Sequence, residues 1–188
     1  MSITLKISLA EYDAMIAADA FASLGQRRLE LIWGEIRDMN PPGPTHEDLI
    51  DALTAWSTQP ALRDCLRVRI QNSIGLPRLN SAPQPDVVWA KPRRYGQRRP
   101  HAVDVLLVIE VADSSLVYDL GEKASLYAGG GINDYWVVDV VNFAVHVFRD
   151  PAGLEFKQHT RWGLGSHVTP LAFPEVSLSV DELFGHAE

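Results

Sequence analysis

Apolar residues bunch along this chain, and where they bunch their spacing predicts elements. The densest run is Val103–Val111, VDVLLVIEV. It is short, rich in β-branched residues and flanked by polar loops, which predicts a strand buried on both faces. It nevertheless carries Glu110 near its far end. An ionised carboxylate in apolar surroundings is costly unless it is paired, hydrogen-bonded or bound to a metal.

Upstream, Ser8-Leu9-Ala10-Glu11 has the form of a capping box, and Ala10 to about Ala20 reads as a helix. Arg28 to Trp33 alternates, with Leu29, Leu31 and Trp33 on one face and Arg28, Glu30 and Ile32 on the other. Gly34 then turns the chain into a second short strand, Glu35–Met39. After the breaker Asn40-Pro41-Pro42-Gly43-Pro44, Thr45 can N-cap a helix that turns Leu49, Ile50, Leu53 and Trp56 inward. Leu66–Ile70 and Ser73–Leu76 are strand-like, and Pro77 to Pro85 is a loop leading to Asp86-Val87-Val88-Trp89.

Beyond the apolar strand, Asp119-Leu120-Gly121-Glu122 opens a helix that Gly129-Gly130-Gly131 stops. Tyr135–Val140 and Phe143–Phe148 form a hairpin about Val141-Asn142, with Tyr135 and Trp136 in the core and His146 facing solvent. Short strands follow, then a helical turn at Val180–Phe184. No repeat or linker interrupts the pattern. It predicts one α/β domain over residues 1–188, a central mixed β-sheet flanked by helices with extra β-hairpins.

Composition narrows this picture only a little. With 188 residues, 46% of them hydrophobic and 22% charged, the chain is that of an ordinary globular domain. No apolar run approaches the roughly 20 residues that span a bilayer, and the first fifteen residues lack a signal peptide's layout. The single cysteine, Cys65, offers neither an internal disulfide nor a metal motif. These features predict a cytoplasmic protein with no membrane partner. A net charge of −7 argues against coating nucleic acid non-specifically. The basic residues, however, crowd into one loop: Lys91, Arg93, Arg94, Arg98 and Arg99 form either a solvated loop or a small phosphate-contacting surface.

Several familiar chemistries are absent. His46-Glu47-Asp48-Leu49-Ile50 begins like a zinc-protease helix but has Ile50 where the second histidine must stand. The sequence has no nucleophile elbow, no phosphate-binding lysine loop and no dinucleotide fingerprint. What remains is a set of carboxylates. Asp86 starts one strand, Glu110 ends its neighbour, and Lys123 follows on a helix. Hard cations such as Mg²⁺ bind oxygen ligands, often one or two carboxylates plus substrate phosphate. Asp86, Glu110 and the backbone carbonyl of Val111 could share such an ion, with Lys123 acting on the attacking water or on the phosphate charge. Each residue also has a structural reading. Asp86 could cap a turn, Glu110 could pair with an arginine, and Lys123 could pair with Asp119 at i,i+4 for about 0.2–0.5 kcal/mol.

At these residues the chain resembles a known family. Pro85-Asp86-Val87-Val88, Val108-Ile109-Glu110-Val111, Asp119-Leu120-Gly121-Glu122-Lys123 and Ala128-Gly129-Gly130-Gly131-Ile132-Asn133-Asp134-Tyr135-Trp136-Val137-Val138-Asp139 together resemble the Uma-two family. That family comprises restriction-endonuclease-like proteins of the PD-(D/E)XK nuclease superfamily. The similarity extends to Leu29–Glu35, to Thr45-His46 and to the Leu178–Phe184 tail, and so covers nearly the whole chain.

The resemblance implies a restriction-endonuclease-like core in which Asp86 and Glu110 bind Mg²⁺ or Mn²⁺ and Lys123 is the catalytic lysine. It adds Glu30 as a further catalytic position, with His46 and Gln71 behind it. One departure matters: the superfamily's lysine normally stands two residues after the glutamate, where this chain has Ala112, so Lys123 must serve from the helix. Two functions are then in play. One is a metal-dependent endonuclease acting on DNA, which the basic loop would contact. The other is a catalytically inactive, nuclease-like homodimeric module that binds nucleic acid or a protein partner.

Overall fold

In the computed structural model, which describes residues 5–25, 27–96 and 98–185, the first element is helix α1, Leu9–Ala17. Its capping box is formed: the Glu11 N–H donates to Ser8 Oγ, and Glu11 Oε2 accepts from the Ser8 N–H at 2.7 Å. The helix ends three residues short of the expected Ala20. Strands β1, Leu29–Ile32, and β2, Glu35–Asp38, form the predicted hairpin. Its two-residue turn places Trp33 at φ 52° and Gly34 at φ 79°, the left-handed geometry that tight hairpins require. A Cβ at Gly34 would also come within 3.1 Å of the Ile7 carbonyl oxygen.

Helix α2, Pro44–Ser57, starts two residues earlier than the sequence suggests. Gly43 is its N-cap and Thr45 lies inside, because Pro44 has no N–H to satisfy and its fixed φ suits the first helical position. Leu49, Ile50 and Leu53 are buried as expected. Trp56 stacks on Trp89 at 4.7 Å and on Trp136 at 5.8 Å between ring centroids, tying the helix to the sheet.

The sheet has six strands in the spatial order β3 (Arg67–Ile70), β4 (Val87–Ala90), β5 (Val105–Ala112), β6 (Asp134–Asp139), β7 (Ala144–Ala152) and β8 (Glu155–Trp162). All neighbours run antiparallel except β5 and β6, which makes it a mixed sheet. A parallel pair needs a crossover. Here it comprises α3, Leu116–Tyr118, a π-helical turn over Asp119–Lys123, and α4, Ala124–Gly130. Gly131 closes α4 at φ 81°.

Side chains alternate between two cores. Leu107, Ile109, Val111, Trp89 and Trp136 face α2 and the C-terminal helix α5, Val180–Leu183, whereas Val108, Ala112, Val88, Val137 and Tyr135 face α4. Glu110 shares the parity of Val108 and Ala112, so its carboxylate points to the α4 side. A short pairing of β9 (His167–Val168) with β10 (Leu178–Ser179) completes the chain.

Four expectations need correction. Ser73–Leu76 is not a strand: Gly75 and Leu76 make only isolated bridges. The apolar strand starts at Val105, because Ala102–Asp104 forms a 3-10 turn that leaves Val103 75% exposed while burying Asp104. Beyond the hairpin, β8 is a long strand, since Gly153 at φ 65° lets β7 turn directly into it. His146 is buried, with Nδ1 2.9 Å from His159 Nε2 and Nε2 3.5 Å from Asp139.

Candidate active site

The ends of β4 and β5 bring Asp86 and Glu110 together. Val87 pairs with Ile109, so the residues just outside that pair are neighbours across the ladder. Each carboxylate is held by the other strand's backbone. The Val111 N–H donates to Asp86 Oδ2 at 2.8 Å, and the Asp86 N–H donates to Glu110 Oε2 at 3.3 Å. His46, from the first turns of α2, lies 3.1 Å from Asp86 Oδ2 through Nε2. This contact raises the imidazole's pKa, opposed by burial and by the charge of Arg28.

Glu110 Oε1 accepts two more hydrogen bonds, from Tyr127 Oη at 2.6 Å and from Lys123 Nζ at 3.1 Å. Lys123 also donates to Glu30 Oε2 at 2.9 Å. Glu30 comes from β1, which docks onto the loop before β4 by the Leu31–Ala82 bridge, and Oε2 accepts the Gln84 N–H as well. Lys123 is therefore deeply buried, 3% exposed. The π-helical turn carries Asp119 and Lys123 into the interior, and both are buried there.

Glu30, His46, Asp86, Glu110 and Lys123 line one cleft of about 490 Å³, together with Arg28, Arg37, Val111, Ser115, Tyr118 and Asp119, while Tyr127 supports Glu110 from behind it. Acidic groups outnumber basic ones along it, and for Glu110 and Asp119 burial is the largest influence on protonation. It pushes the Glu110 carboxyl up to about 8, with Asp86 adding to the effect and Lys123 opposing it. Asp119 is pushed up to about 6 by burial, against its hydrogen bond with Ser115. Burial alone would lower the Lys123 ammonium, but Glu110 and Glu30 outweigh it and hold the lysine charged.

The structure thus brings together Asp86, Glu110, Val111, Lys123, Glu30 and His46. Gln71 stays outside: only its backbone N–H reaches Asp86, at the carbonyl, at 2.9 Å. The basic loop lies elsewhere. It leaves the other end of β4, about 15 Å from Asp86 at strand rise. Arg93 and Arg98 fold back onto buried Asp104, and Arg99 pairs with Asp13. Sequence reasoning missed Asp119, Tyr127, Tyr118, Arg28 and Arg37. A signal existed for two of them, since Asp119, Lys123 and Tyr127 recur at four-residue spacing on one helical face.

Among the described residues no group of three or more His, Cys, Asp and Glu side chains is placed to hold a metal ion by itself. The two adjacent carboxylates suit a hard cation that completes its shell with water and substrate oxygens. They do not suit a caged ion such as structural zinc.

The mixed sheet with flanking helices and an acidic cleft at the strand ends defines an α/β nuclease-type fold. The crystal structure of a putative nuclease belonging to DUF820 from Anabaena variabilis superposes with a TM-score of 0.72, covering 96% of this chain and 98% of that one at 17% identity. The family model described as "putative restriction endonuclease", Uma2, matches residues 9–181. The chain belongs to the Uma2 family, the one its motifs resemble. No curated protein matches it.

Proposed function

We propose that the protein is a Mg²⁺- or Mn²⁺-dependent endonuclease of the PD-(D/E)XK type that hydrolyses phosphodiester bonds in DNA. The observation that carries this reading is the pair Asp86 and Glu110, each fixed by the other's strand, with Lys123 bonded to one of them in the same cleft. Asp86 and Glu110 would hold the cation, with the Val111 carbonyl as a further oxygen. When bound, such an ion polarises the phosphate and makes water more acidic.

The chain's own residues do the rest. The Val111 N–H and His46 orient Asp86, while Tyr127 and Lys123 orient Glu110. A lysine held charged has no lone pair with which to take a proton. Lys123 therefore serves as a fixed positive charge for the developing negative charge on phosphate, not as a base. Glu30 is a positioning residue that holds Lys123 from its other side. Cutting both strands of a duplex calls for two such clefts, so the reading includes a homodimer, to be checked by light scattering. It also places the protein in the cytoplasm, and no described helix is long and apolar enough to cross a membrane.

One observation favours the inactive-module reading: Ala112, fully buried, occupies the superfamily's lysine position, and Lys123 already bonds to two carboxylates. The deciding experiment is cleavage of supercoiled, linear and single-stranded DNA with Mg²⁺ or Mn²⁺, alongside calorimetric titration of Mn²⁺. Asp86→Ala and Glu110→Ala are expected to lose cleavage by at least about 10²–10³-fold and to lose Mn²⁺ binding. A wild-type protein that cleaves none of these substrates with either ion counts against the hydrolase. One that also binds no Mn²⁺ leaves the inactive module standing.

A further inference from the structure

The cleft has four basic side chains on its wall: Arg28, Arg37, His46 and Lys123. Three are occupied. Lys123 donates to Glu30 and Glu110. Arg37 donates to Glu35, Glu122 and the Tyr118 hydroxyl. His46 sits on Asp86 through Nε2, and its buried Nδ1 has no partner among the described residues. Arg28 is different. Its Nη2 is buried, yet among the described residues it finds no hydrogen-bond acceptor and no carboxylate pairs with it.

A buried donor without an acceptor is rare in a folded protein, and at a cleft wall it marks a place for a ligand atom. The strand sets where this donor lies. Arg28 stands two residues before Glu30, so both side chains leave the same side of the β1 chain and reach the same cleft. Arg28 and His46 line the same cleft, so the arginine shares a wall with the residue that holds Asp86.

We propose that Arg28 is the phosphate-binding residue of this cleft and grips a backbone phosphate of the DNA beside the Asp86–Glu110 pair. The inference rests on the proposed DNA reading and adds to it the contact that seats the substrate. A guanidinium presents parallel N–H donors that match two phosphate oxygens, whereas Lys123 and Arg37 already donate to carboxylates and His46 offers only its single Nδ1 beyond the contact with Asp86. It also explains how an acidic cleft takes a polyanion. The carboxylates face the cation and an uncommitted arginine faces the phosphate, so neither charge need be displaced. The basic loop cannot do this work at the site, because it leaves the far end of β4 and Asp104 already holds Arg93 and Arg98.

The test is binding of a short fluorescein-labelled duplex, in Ca²⁺ to prevent turnover, followed by anisotropy over a range of salt concentrations. Arg28→Ala is expected to bind about tenfold more weakly, with a log–log salt dependence shallower by about one unit. Its Mn²⁺ affinity and melting temperature should stay those of the wild type. Arg28→Lys keeps the charge but not the fork, so it should recover the salt slope and only part of the affinity. Equal affinity and slope in wild type and Arg28→Ala would overturn the proposal. So would a wild type that binds no DNA, or a loss of folding in both variants, which would make Arg28 structural. Arg28-dependent binding by a protein that cleaves nothing upholds the phosphate contact and sinks the hydrolase. Cleavage with Arg28-independent binding does the reverse.

Discussion

Buried carboxylates meet cations in two regions of this molecule, and the two behave in opposite ways. At the root of the basic loop, Asp104 lies between Arg93 and Arg98, with the His101 N–H as a further donor. Burial alone would raise its pKa, but these partners outweigh burial and hold it at about 2. In the cleft, Glu30, Asp86, Glu110 and Asp119 crowd together with Lys123 bonded to only two of them, Glu30 and Glu110, and the balance tips the other way: Glu110 is raised to about 8 and Asp119 to about 6. Where cations match or exceed carboxylates, the protein has built a fastener. Where carboxylates are in excess, the fold disfavours their full ionisation and retains protons that a cation from outside can displace.

The harshest way to break this contrast is to remove the cleft's one buried ammonium. Lys123→Met leaves Glu30 and Glu110 facing each other without a counter-charge, and urea unfolding should show a loss of about 3–5 kcal/mol. Adding Glu30→Gln should recover part of that loss, because the two residues are directly bonded. Fully additive losses would show that Lys123 and Glu30 are not coupled.

Next in size come two opposite pH dependences. A carboxyl whose folded pKa is raised adds stability that is fully present below its unfolded value and lost as pH rises through the folded one. Chelator-treated wild type should therefore lose thermal stability between about pH 4.5 and about pH 8 through Glu110, and Glu110→Gln should flatten that decline. Asp104 has the reverse sign. Its contribution is present above the ordinary aspartate value and is lost as pH falls from about 3.8 towards about 2. Asp104→Asn should lower the melting temperature at neutral pH by about 5 °C, with the difference from wild type vanishing in acid. Parallel pH profiles for the two variants would dissolve the distinction between fastener and site.

The smallest effect concerns what the fastener uses up. Among the described residues, Lys91 and Arg94 make no ion pair, whereas Arg93 is committed to Asp104. If the loop touches DNA at all, Arg94→Ala should weaken binding only a few-fold and reduce the salt slope by about one unit. Arg93→Ala should change binding less than that. A larger effect at Arg93 would mean that the loop opens to bind.

The sequence made much of this visible, and its omissions have physical causes. Strand β5 was legible because a short β-branched run between polar loops has few alternatives, and Glu110 stood out because it violates that run. Its partner was not legible. Physics offered an arginine or a metal, and the structure supplies Lys123 and Tyr127. The Glu30–Lys123 bond joins residues 93 positions apart and depends on a hairpin docking onto a loop, which no local pattern encodes. Ser73–Leu76 misled because alternation describes any extended chain, paired or not. His146 misled because nothing in its own strand's alternation shows that His159 of β8 stacks against its ring.

The π-helical turn at Asp119–Lys123 has a consequence for how this protein can tolerate change. Such a turn is equivalent to one extra residue inside an α-helix. Deleting Gly121, which has no atoms within 4 Å of where its Cβ would lie, removes no packing. It would nevertheless restore ordinary helical spacing and swing Tyr118 and Asp119 by about 100° relative to Lys123 and Tyr127. The cleft should thus be sensitive to the count of residues in this segment more than to their identity. A single lost codon there would dismantle a wall of the cleft that most single substitutions in the same segment would leave standing.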